Sequence, residues 1–228
     1  MNTTNKKTYT YKMNLGPANI LCIAILILVA VPTMFIVPDF FVYKNTLVLF
    51  ISIVLYMMLH EFIHGIGYFI GGTKRKNISY GICLEKGIFY AMAYQKLTKK
   101  NILISLQMPF MTIGVITYII GIIFNLHLLI TLSVINICGA AMDLAMFIYF
   151  LKLPKDIIYS ESGNPDEFVI VSDKDLTKKK NLFVRIIDTK EYKEEDFNFK
   201  NIKKLNITKT SIIILLVFII LGIITTIF

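Results

Sequence analysis

Two histidines separated by three residues on an apolar stretch can hold a metal ion. The sequence reads His60-Glu61-Phe62-Ile63-His64. On a helix, positions i and i+4 lie one turn apart on one face. Two imidazoles so placed reach one tetrahedral ion at about 2.0–2.1 Å, a geometry that fits zinc. Glu61 stands beside the first histidine, where it serves as a base toward the water such an ion activates. A catalytic zinc site takes three protein ligands and keeps a fourth position open, so one more ligand is required, and Asp143 is the candidate. The plainer alternative is a hydrogen-bonded histidine pair tying two helices together. It leaves Glu61 as an unpaired buried carboxylate, which is costly.

The elements that must position these side chains are membrane helices. The chain has 228 residues, 56% of them hydrophobic, and the excess falls in five blocks: residues 20–37, 46–70, 102–124, 128–151 and 211–228. A bilayer core needs about 20 apolar residues per helix. Long blocks without short alternating segments mean helices rather than a barrel. Within the five blocks the only acidic residues are Glu61 and Asp143, and two of the three histidines join them. Depth selects Asp143. At 1.5 Å per residue, His64 lies about 10 Å from the end of the second helix at Gly71, and Asp143 about 13 Å from the same end of the fourth at Lys152. His127 falls near the opposite end. Asn136, seven residues before Asp143 on nearly the same face, is read as an interhelical hydrogen-bonding group, and so is Gln107. Pro109 is expected to kink the third helix. Gly65, Gly67, Gly71 and the run Gly139-Ala140-Ala141 are expected to let helices pack closely.

A net charge of +9 raises the question of nucleic acid, and the placement of the charge answers it. Basic residues cluster before the first block, between the second and third, and between Lys152 and Lys209, with Lys44 alone on the other side. Five crossings put all three clusters on one face, the positive-inside pattern. It predicts a cytoplasmic N-terminus and an external C-terminus, with a lipid bilayer rather than nucleic acid as the surrounding partner. The first block is too long for a signal-peptide core and is read as a retained helix. Three cysteines, Cys22, Cys83 and Cys138, lack metal-type spacing and imply no disulfide framework. Residues 78–94 read as a β-hairpin around Glu85-Lys86-Gly87. Residues 154–209 read as a small cytoplasmic α/β appendage, with a turn at 163–166 and strands near 168–171 and 182–187. The expected organisation is an all-α polytopic core over 1–153, the cytoplasmic segment 154–209, and a last membrane helix over 210–228.

On His-Glu-Phe-Ile-His-Gly at 60–65, the hairpin after it, Pro109, Gly-Ala-Ala-Met-Asp-Leu at 139–144 and Lys-Leu-Pro-Lys-Asp at 152–156, the chain resembles the putative zincin peptidase family. These are bacterial membrane proteins with this motif in a transmembrane helix, and the resemblance covers residues 45–172. More distantly it is similar to site-2-type intramembrane metalloproteases. That likeness implies His60, His64 and Asp143 as metal ligands and Glu61 as the catalytic base. Leu144 stands where those proteases carry a glycine, and no Asn-Pro precedes Asp143. The resemblance implies a zinc metalloprotease acting on a membrane-associated polypeptide. Two rivals are a non-catalytic metal-binding scaffold and a metal transporter; the transporter lacks further intramembrane acids to form a relay.

Overall fold

The computed structural model describes residues 6–83, 88–179 and 181–193. Strand β1 (Lys7–Met13) leads into helix α1 (Leu15–Ile36), and α2 spans Thr46–Ile70. Asn45 starts α2 by accepting a hydrogen bond from the Val48 N–H at 3.1 Å, an ordinary N-cap. Gly72, at φ 95°, ends it: the Thr73 N–H reaches back to the Tyr68 carbonyl, closing a Schellman turn. Strands β2 (Ile78–Cys83) and β3 (Ile88–Ala93) pair antiparallel, with Tyr80 opposite Ala91, as the hairpin reading expected. Glu85 lies outside the described residues. After β4 (Leu97–Thr98), Thr98 caps α3 (Lys99–Pro109), which passes through a π-helical segment (Phe110–Ile116) into α4 (Thr117–Ile123). Helices α5 (His127–Gly139) and α6 (Ala141–Lys152) follow.

Three helical spans, Leu15–Ile36, Thr46–Ile70 and Lys99–Ile123, are long and apolar enough to cross a membrane. Helices α5 and α6 form a fourth span if counted together, bent by 46°. Ile20, Leu28 and Phe35 on α1 are 70%, 73% and 85% exposed. Side chains of that kind belong against lipid, and the chain is a polytopic membrane protein. The fourth block is therefore not the one straight helix its composition suggests. The fifth block, 211–228, lies outside the described residues; among those described, three or four spans stand for the first four of the five expected.

The appendage also departs from expectation. Among the described residues it holds no helix: β5 (Ile158–Glu161), β6 (Glu167–Ser172) and β7 (Val184–Glu191) join β4 and β1 in a five-stranded antiparallel sheet. The order is β4-β5-β6-β1-β7, so the N-terminal strand lies between β6 and β7. Its alternating Tyr9 and Tyr11 point to the buried face at 0% and 1% exposure. Tyr11 stacks on Phe168 at 5.1 Å and receives a hydrogen bond from the Tyr149 hydroxyl at 3.0 Å. With Phe150, Tyr159, Ile170 and Leu97 these rings form a core between the sheet and the ends of α3 and α6. Each large side chain so buried contributes about 1.5–3 kcal/mol.

Candidate metal centre

Helix α2 carries a polar stripe at i, i+4 spacing: Tyr56, His60, His64 and Tyr68. The two histidines bring their Nε2 atoms to 3.0 Å from each other. Asp143, in the first turn of α6, places Oδ2 3.1 Å from the His60 Nε2 and 3.4 Å from the His64 Nε2. The break between α5 and α6 makes this possible. Asn136 at the end of α5 and Asp143 at the start of α6 reach opposite edges of the same imidazole. His127, at the start of α5, offers its backbone carbonyl to Tyr43 and is remote from the centre. Gln107 is exposed.

The proton positions follow from the partners. The Asn136 Nδ2 donates to the Pro109 carbonyl at 3.3 Å, which leaves its Oδ1 facing the His60 Nδ1 at 2.8 Å. The His64 Nδ1 faces the Ser105 carbonyl at 2.9 Å. Both partners only accept, so both Nδ1 atoms carry the proton, and both Nε2 atoms of neutral rings present lone pairs. Three acceptors, two nitrogens and a carboxylate oxygen, then face one another within 3.4 Å. Such a triangle repels itself unless a proton or a metal ion sits among the three. A tetrahedral ion with bonds of about 2.0–2.1 Å separates its ligands by about 3.3–3.4 Å. The observed edges of 3.0, 3.1 and 3.4 Å fit such an ion with small adjustment.

The neighbouring helices hold this geometry. Residue 109 is proline and has no N–H, so the Ser105 carbonyl lacks its usual i+4 donor and is free to take His64. The Ser105 hydroxyl donates in turn to the His64 carbonyl at 3.0 Å. Gly67 lets α3 come this near: a Cβ there would lie 2.6 Å from the Ser105 Cα. Gly65 admits the ring of Tyr80 in the same way. Gly139 has nothing within 4 Å of such a Cβ, so it marks the break in the chain rather than a close contact. Helix packing was the expected role of Asn136; it also orients a histidine.

The Glu61 carboxylate lies on the same turn. His60, Glu61 and His64 offer ligand-type atoms all within 4.8 Å of one another, a cluster able to hold a metal ion. The Ala91 N–H of β3 donates to Glu61. Three cavities meet at this residue. One, lined by Ile53, Tyr56, Leu132 and Ile135, runs between α2 and α5. A second lies between α2 and the hairpin, lined by Met58, Phe62, Tyr80 and Phe89. The third opens toward the large sheet and contains His60, His64, Asp143 and Glu161, a residue of the 154–209 segment for which the sequence suggests no role. Glu161 is 8% exposed and accepts a hydrogen bond from Tyr68 at 3.1 Å and another from Tyr159. Burial pushes its carboxyl up to about 7. Tyr68, four residues after His64, was the available pointer.

Fold and site together define a membrane protein with a His-Glu-x-x-His metal cluster inside its helices. Residues 53–158 match the model of a family described as putative zincin peptidase, the family that the motif at 60–65 resembles. The match takes in most of α2, the hairpin and α3 to α6, and ends at Ile158, before Glu161. No curated protein and no solved structure matches the chain.

Proposed function

We propose that the protein is a zinc-dependent metalloprotease that hydrolyses peptide bonds at or within the membrane. His60, His64 and Asp143 hold the metal, and the triangle of three converging lone-pair donors beside a carboxylate carries this reading. When bound, zinc supplies Lewis acidity, polarising a carbonyl and acidifying water. Glu61 is the general base: it takes the proton of the attacking water and passes it to the departing amine. Asn136 and Ser105 keep the two imidazoles in the tautomer that ligation requires.

The substrate is a polypeptide laid along β3. One edge of that strand pairs with β2, while the Ala91 N–H on the other meets Glu61. Alternation along a strand turns the backbone of Phe89 to the same edge. An unwound segment added there passes the base and the metal donors, and the apolar cavity between α2 and α5 receives a side chain. The sheet end of the helices faces the cytoplasm.

The test is Glu61→Gln, which keeps size and polarity and removes the base. Purified in detergent, the variant should bind about one zinc per chain like the wild type. Its cleavage of an unfolded polypeptide such as casein should fall by about 10²–10⁴-fold. Unchanged cleavage would remove Glu61 as the base, and loss of zinc with the substitution, or no zinc-dependent cleavage by the wild type, would leave a metal-binding scaffold as the better description.

A further inference from the structure

Among the described residues no cation pairs with Glu161, which is 8% exposed. Its bonding partners are two hydroxyls, Tyr68 and Tyr159. It shares a cavity of about 210 Å³ with the donor triangle, and none of the described residues lining that cavity is a lysine or arginine. Three carboxylates line it: Glu61, Asp143 and Glu161. A divalent ion would balance two of them, and no lysine or arginine among the described lining residues stands opposite the third. An ionised carboxylate buried this deeply is costly, so Glu161 either holds a proton or meets a positive group. Tyr68, one turn beyond His64, joins the acid to the metal-bearing face of α2.

We infer that Glu161 is a recognition residue that takes a cationic group of the bound polypeptide, either a basic side chain or the free N-terminal amine, in the cavity beside the metal donors. This rests on the metalloprotease reading. A carboxyl near 7 is partly protonated at neutral pH, and an arriving ammonium converts it fully to the carboxylate and keeps it there. The two tyrosine hydroxyls hold the carboxyl in place before the ligand enters. A neutral apolar side chain in the same place leaves the charge as it was. The position lies beyond the segment that matches the peptidase family.

The test uses binding to the full-length, zinc-loaded protein in detergent, read by calorimetry. Four probes anchor on the metal through a hydroxamate: lysine and norleucine hydroxamates, each with the α-amine free or acetylated. If a basic side chain is the ligand, acetyl-lysine hydroxamate should bind roughly tenfold or more tighter than acetyl-norleucine hydroxamate. If the N-terminal amine is the ligand, free norleucine hydroxamate should exceed its acetylated form by a similar factor. Glu161→Gln, which keeps the size and one acceptor oxygen but removes the charge, should erase the difference without lowering zinc content. Equal binding of all four probes to the wild type overturns the inference while the metal centre stands. So does a preference that survives Glu161→Gln. Binding of none of them rejects the metal centre itself, and the inference with it.

Discussion

The two ring nitrogens of His60 have different tasks, and each is fixed by a different helix. Its Nδ1 proton goes to Asn136 on α5, and its Nε2 lone pair turns to Asp143 on α6. Removing the Asn136 acceptor frees the ring to rotate or to exchange tautomer. Asn136→Leu should therefore weaken zinc affinity by roughly 10–100-fold, as loss of an outer hydrogen bond to a ligating histidine does. Competition with a chromogenic chelator measures this, and a change under about twofold would make Asn136 a helix tie only. Glu161 yields a second prediction at this scale. Its folded pKa, about 7, lies above its ordinary 4.5 because of burial, so the folded state binds the proton more tightly than the unfolded one. The contribution to stability is full below 4.5 and is lost as pH rises through about 7. In detergent, the melting temperature of wild type relative to Glu161→Gln should fall across that window, and a flat difference would contradict the raised pKa.

At the scale of elements, the centre depends on how closely α2 and α3 approach. Gly67→Ala drives a methyl group into the Ser105 backbone, 2.6 Å away, and backbone cannot step aside as a flexible side chain can. The helices must separate, at a cost of about 1–3 kcal/mol, and the Ser105 carbonyl withdraws from His64. The variant should melt earlier and bind zinc more weakly, whereas Gly139→Ala, with open space around it, should keep its fold and its metal. The same elements show what could be read beforehand. The i, i+4 pair and the depth of Asp143 were legible because helix geometry converts spacing directly into position. The hairpin and strands β6 and β7 were legible from their β-prone runs. The bend at Gly139-Ala140 was not, since composition there is uniformly apolar. Strand β1 went unread although Thr8-Tyr9-Thr10-Tyr11 alternates, because a strand's partners lie far away in sequence: Val169, Ile170 and Asp188 here. Glu161 was hidden for the same reason, its tyrosine at position 68 being on another element.

At the scale of the molecule, the large sheet fixes which segments share an end of the bundle. Strand β1 precedes the first span, β4 follows the second, and β5, β6 and β7 follow α6, yet all five are hydrogen-bonded into one sheet. An even number of crossings must therefore separate β1 from β4 and β4 from β5. This is met by α1 with α2, and by the Lys99–Ile123 span with the bent pair α5 and α6. Lys7, Lys12, Lys96, Lys99, Lys100, Lys152, Lys155 and Lys174 gather at the sheet end, whereas Lys44 is the one lysine in the connections at the other. Positive charge is retained on the cytoplasmic side of a bacterial-type membrane. Reporter fusions after residues 44 and 125 should accordingly signal the exterior, and a fusion at 175, in the turn beyond β6, the cytoplasm. Because the sheet makes the sites interdependent, a single internal disagreement, such as an external signal at 175 together with one at 44, contradicts the sheet itself. An exchange of all three signals keeps the fold and turns the metal centre toward the outer face.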